Sequence, residues 1–176
     1  MTKRTRTLAA IGLLVAAVVI ISLTIGRAIV SGRPAGLGSF SLVHFAGYLF
    51  FLLMPVEVLV PFYLAEGHSG VLLIGLAVLT ALGAQTIDYV IGHAVSGEVI
   101  DNLVGTKRYR RAKGAIHRYG HWAVLFFNLM PLSSPNLLLV AGVTRYSFRK
   151  AMLFSLIGLS AKYLVIVYLS AGMGGF

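Results

Sequence analysis

Two apolar stretches of this chain are broken near their middles by prolines and polar side chains. They are residues 45–66, FAGYLFFLLMPVEVLVPFYLAE, and residues 121–143, HWAVLFFNLMPLSSPNLLLVAGV. In hydrocarbon every backbone amide and carbonyl needs an internal partner, and proline removes a donor and crowds the preceding turn. Such backbone survives at membrane depth where other protein buries it or where it lines a wet cavity. The breaks at Pro55 and Pro61, and at Pro131 and Pro135, therefore predict a polar site inside a bilayer. Three further apolar runs, residues 8–26, 71–95 and 151–171, have the length of about 20 residues that a spanning helix needs. The first run exceeds a signal-peptide core of about 7–15 residues and no A-x-A site follows, so it reads as an uncleaved transmembrane helix. Residues 31–39, SGRPAGLGS, and 67–70, GHSG, read as turns. Residues 97–120 are polar and basic, with irregular apolar spacing that fits an interfacial helix pair or a helix and a loop. Residues 144–150, TRYSFRK, read as a basic connection.

Composition agrees. The 176 residues are 58% hydrophobic and 11% charged, with a mean hydropathy of +0.89. A soluble domain carries about a quarter of its residues as charges. The net charge of +10 would point to nucleic acid in a soluble protein. Here the basic residues flank apolar runs, and anionic headgroups are the better partner. Cysteine is absent, which excludes disulfides and Cys metal sites.

The basic residues also discriminate between topologies. If both broken stretches crossed the membrane from an inside N-terminus, six Lys and Arg would lie inside and eight outside. If both dip in and return, twelve lie inside and only Arg27 and Arg33 outside. Cytoplasmic Lys and Arg bias favours the second arrangement. Each re-entrant stretch is then followed by one spanning helix, and the two face opposite ways, which makes an inverted repeat. Leu53-Met54-Pro55 recurs as Leu129-Met130-Pro131.

Few residues could carry chemistry. Glu57 lies between two prolines and reads either as a proton-titrating or headgroup-coordinating acid, or as a carboxylate capping the broken helix. Gln85, Asp88 and Gly92 share a helix face, which predicts an inward polar stripe; an interfacial Asp88 is the alternative. Lys162 is too central in its run to snorkel, so it neutralises Glu57 or Asp88 or meets a phosphate. Asn128, Ser133, Ser134 and Asn136 surround the second break, where they satisfy freed backbone or bind a headgroup. The five histidines form no close ligand set, although His117 and His121 are an i,i+4 pair. No nucleophile elbow, P-loop or nucleotide fingerprint occurs, so neither enzyme chemistry nor any cofactor or metal is expected.

The pattern resembles the DedA family, also called the VTT-domain or SNARE-associated Golgi protein family, over about residues 45–175. The resemblance rests on Glu57 with Pro61, on ALGAQTIDYVIGHAVSG at 81–97, and on HRYGHWAVLFFNLMPLSSPNLLLVAGV at 117–143 followed by Phe148, Gly158 and Tyr163. It implies two opposed re-entrant segments and a role in moving lipids across bilayers: recycling of undecaprenyl phosphate and membrane-potential homeostasis in bacteria, phospholipid scrambling in eukaryotes. It also implies an acid where this chain has Gln85, and arginines where it has Asn128 and Ser134. The chain departs from the family at those three places.

The expected molecule is an all-α integral membrane protein with about three spanning helices and two re-entrant helical hairpins in an inverted repeat. Residues 1–38 would form a basic head and first helix, and residues 39–176 the DedA-like domain. The expected function is flipping or scrambling of a phosphate-bearing lipid, polyprenyl phosphate or phospholipid. A small-ion or solute transporter and a non-transporting assembly or homeostasis factor fit the same pattern. Expected partners are anionic or phosphate-bearing lipids, with proton coupling and homo-oligomerisation left open and no nucleic acid. The expected location is a prokaryotic plasma membrane, with the N-terminus cytoplasmic.

Overall fold

The computed structural model describes residues 12, 36–49, 56–94, 106–130 and 135–173. The expected spanning helix over 8–26 (Gly12 apart) and the residues Pro55, Pro131, Ser133 and Ser134 lie outside that set. Among the described residues all regular structure is helical, with seven α-helices and no strand.

The first half opens with α1, Leu37–Tyr48. A turn expected to run through residue 39 gives way to helix at Leu37. Ser39 Oγ donates to the Gly36 carbonyl at 2.6 Å and Ser41 Oγ to the Leu37 carbonyl at 2.9 Å. These serines bond back to the helix instead of breaking it. A 3₁₀ turn, Val56–Val58, then leads into α2, Leu59–Ala65. Pro61 falls in the first turn of α2, where an amide has no intrahelical acceptor and its loss costs little. Ser39 Oγ lies 2.7 Å from Tyr63 OH, so the start of α1 meets the end of α2 and the two helices form a hairpin. The long helix α3, Gly70–Ala94, follows.

The second half opens with the amphipathic α4, Thr106–Tyr119, which buries Ala112 and Ile116 and exposes Lys107, Arg110, Arg111, Lys113 and Arg118. It turns at Gly120 into α5, His121–Leu129. Helix α6, Pro135–Val143, begins on proline at a position that suits it. A Cβ added at Gly120, before α5, would lie 3.7 Å from Tyr146 OH, just beyond α6. The outer ends of α5 and α6 are therefore side by side, and this pair is also a hairpin. The last helix, α7, is Phe148–Met173.

Helices α3 and α7 run antiparallel over their full lengths. A Cβ on Gly70 would meet Val167 at 2.8 Å, Thr86 contacts Met152, and the rings of Tyr89 and Phe148 are 5.1 Å apart. The α1–α2 hairpin approaches this pair from the Gly70 end and the α5–α6 hairpin from the Phe148 end. In each half the first arm packs on its own long helix, α1 on α3 and α5 on α7, and the second arm packs on the other half's, α2 on α7 and α6 on α3. The turns into the long helices are built alike. After α2, His68 N–H donates to Tyr63 O and Gly67 N–H to Leu64 O; after α6, Tyr146 N–H donates to Ala141 O and Arg145 N–H to Gly142 O. Both are Schellman closures. Ser69 and Ser147 then each supply the first carbonyl acceptor of the following helix.

Polarity is inverted relative to a soluble protein. Leu72, Leu79, Val90, Leu153, Leu164 and Leu169 are exposed, while His44, Gln85, Asp88, Asn128, Ser155 and Lys162 are buried. Helices α3 and α7 are each long and apolar enough to cross a membrane. An outer surface this apolar belongs in lipid.

Candidate functional site

The buried polar side chains gather in two clusters along the inner face of α7. The first surrounds Lys162. Its ammonium lies 2.9 Å from Glu57 Oε1, with the lysine side chain 2% and the glutamate 15% exposed. Nζ also donates to Tyr48 OH and lies 5.2 and 5.0 Å from the ring centroids of Tyr48 and Tyr163. A desolvated cation held by a carboxylate, a phenol and aromatic faces is well compensated. Glu57 reaches it because the 3₁₀ turn before α2 leaves the side chain pointing toward α7; its partner is 105 positions away in sequence.

A hydrogen-bonded train continues from the lysine. Tyr163 OH donates to Tyr48 OH at 3.1 Å. Tyr163 OH also lies 2.7 Å from His44 Nε2. His44 Nδ1 is 2.8 Å from Thr80 Oγ1, and that hydroxyl reaches back to the Leu76 carbonyl at 2.6 Å. Four segments thus meet in one network: α1 through His44 and Tyr48, the 3₁₀ turn through Glu57, α3 through Thr80, and α7 through Lys162 and Tyr163.

The second cluster is uncharged. Gln85 Nε2 donates to Asn128 Oδ1 at 2.5 Å, and Asn128 Nδ2 donates to Ser155 Oγ at 3.0 Å and to Val124 O at 2.9 Å. Gln85 Oε1 is buried with no hydrogen-bond partner among the described residues. Asp88, one turn along α3, is 2% exposed, as is fitting for the inward stripe it shares with Gln85 and Gly92. Ser155 and Lys162 are seven residues apart on one face of α7, about 10 Å along the axis.

The family model for the VTT domain matches residues 54–172. The chain belongs to this family, that of the DedA and SNARE-associated Golgi proteins. No curated protein and no solved structure matches it. With its apolar exterior and two membrane-length helices it is a membrane protein of the DedA family. In this VTT protein Gln85 and Asn128, two places where the resemblance implies charged residues, are bonded to one another.

The expected site residues thus divide. Glu57 and Lys162 come together; Gln85 and Asn128 come together in a separate cluster. Lys162 is paired with Glu57. Ser133 and Ser134 lie outside the described residues. Sequence reasoning gave no site role to His44, Tyr48, Thr80, Ser155 or Tyr163, of which Tyr163 entered only through the family resemblance. The usable signal was local: His44 and Tyr48 are four apart on one helix face, and Tyr163 adjoins the buried lysine.

Proposed function

We propose that this protein moves a phosphate-bearing lipid, a polyprenyl phosphate or a phospholipid, between bilayer leaflets. In this reading α3 and α7 span the membrane. The α1–α2 and α5–α6 hairpins are re-entrant, dip in from opposite faces, and form an inverted repeat. The observation that carries the reading is the Glu57–Lys162 pair, buried among phenols where a hairpin tip meets a membrane-length helix. A headgroup phosphate would compete with Glu57 for the lysine, while the lipid chains stay against the apolar exterior. The carboxylate resets the site once the headgroup leaves. The hairpin architecture supports the same reading, since broken helices that meet from opposite sides let either face open in turn. The hydroxyl and imidazole train beside the pair is where proton coupling would reside.

The test is leaflet exchange of a fluorescent lipid in liposomes reconstituted with the protein. Glu57→Gln keeps an oxygen acceptor for Lys162 and should fold, yet exchange should fall to background. Normal exchange by that variant removes Glu57 from the cycle. Ion flux in liposomes that lack phosphate-bearing test lipid, with no lipid exchange, favours the small-ion reading.

A further inference from the structure

Away from the buried clusters, at the Phe148 end of the molecule, a cavity of about 220 Å³ opens between α4 and the turn from α6 to α7. Lys113, Ile116, His117, Thr144 and Tyr146 line it, and no acidic residue does. Lys113 and His117 are successive on the exposed face of α4. Thr144 gives its hydroxyl proton to the Val140 carbonyl at 3.0 Å, so it offers no free donor. Burial pushes the Tyr146 phenol above its ordinary value, so that hydroxyl keeps its proton and can donate it. The available groups are an ammonium, an imidazole and a phenol.

Arg145 stands between two of the lining residues and is exposed. It is the one non-glycine among the described residues with positive φ, at 53°. It occupies the left-handed position of the Schellman closure that ends α6. The matching closure after α2 uses Gly67, at φ 86°. Glycine is what that position favours, and the first half of the chain supplies it. The second half instead holds an arginine in a strained conformation. Conformations of this kind persist where the surrounding structure over-determines them, and they cluster at functional sites. Arg145 has no side-chain hydrogen bond or ion pair among the described residues.

We propose that this cavity binds a phosphate group, with Lys113 and Arg145 as its cationic ligands and the His117 imidazole and Tyr146 hydroxyl as further hydrogen-bonding groups. The group is the phosphate of a membrane lipid or a free phosphate anion. The proposal does not depend on the transport reading, because none of these residues belongs to the Glu57–Lys162 network. The simpler account is that Arg145 only complements the carbonyl end of α6.

The full chain in nanodiscs of zwitterionic lipid is titrated with inorganic phosphate, and separately assembled with and without phosphatidic acid. Lys113→Gln and Arg145→Gly are compared with the parent. Binding of inorganic phosphate identifies a free-anion site; binding that appears only with phosphatidic acid identifies a lipid site. In either arm Lys113→Gln should weaken binding about tenfold. Arg145→Gly should weaken it about fivefold and yet melt about 2–4 °C higher, because the strain is relieved. That opposed pair of effects is not expected of an arginine that only serves the helix end. Unchanged binding in both variants, or no binding in either arm, overturns the proposal.

Discussion

Lys162 sets the energetics of the interior. A buried ion pair is worth little against an apolar pair of similar size, but removing one partner leaves a charge stranded at a cost of about 3–5 kcal/mol. Lys162→Met should therefore lower stability by about that amount, and so should Glu57→Leu. The double variant should recover most of the loss, since neither charge is then left alone. Denaturant titrations of the three variants followed by circular dichroism measure this. Additive losses in the double variant would mean the pair is not coupled. The charged residues were legible in the sequence because an ion in hydrocarbon demands a partner. Their company was not. His44, Tyr48 and Tyr163 carry no obligatory charge, so nothing in the sequence alone demands a partner for them. Only the meeting of α1 with α7, across 114 positions between Tyr48 and Lys162, gives their polar tips a purpose. The neutral Gln85–Asn128 bond was hidden for the same reason, although each residue was singled out.

Among the elements, the tightest crossing is that of α3 with α6. A Cβ at Gly92 would lie 1.9 Å from the Leu139 carbonyl oxygen, and one at Gly142 would lie 2.1 Å from the Tyr89 carbonyl oxygen. Both obstacles are backbone, so no side chain can swing aside. Such glycine contacts bring helix backbones together where lipid supplies no hydrophobic drive. Gly92→Ala should cost about 1–3 kcal/mol through overpacking, while Gly75→Ala, with open space at its Cβ, should be neutral or mildly stabilising. Thermal unfolding of the two variants separates these outcomes. The helices themselves were largely readable. The run predicted over 71–95 is α3, and the second broken stretch begins and ends with α5 and α6. Element starts were the weak point. Helix α1 begins well before residue 45, and α7 begins at Phe148 and not at 151. In both places serines and basic residues resemble a linker by composition, but their backbone and hydroxyl groups serve as caps and back-bonds.

At the scale of the whole molecule, the charge asymmetry and the hairpin geometry make one joint prediction. The exposed basic residues of α4 and those at the start of α7, Arg149 and Lys150, sit at the end where the α5–α6 hairpin opens. The turn carrying Gly67 and His68 sits at the other end, beside Val167. Since α3 joins the two ends with 25 residues, about 37 Å of helix, a bilayer separates them in the proposed reading, in which α3 spans it. If Lys and Arg bias sets the orientation, the α4 end faces the cytoplasm. The chain has no cysteine, so single cysteines can be placed without removing any. Arg110→Cys and Arg149→Cys should react with a membrane-impermeant maleimide only when the cytoplasmic face is exposed. Ser69→Cys should react from the opposite face. Labelling of positions 110 and 149 from different faces would break the α5–α6 hairpin into a full crossing. It would also remove the opposed approach of the two hairpins to α3 and α7, on which the proposed lipid movement depends.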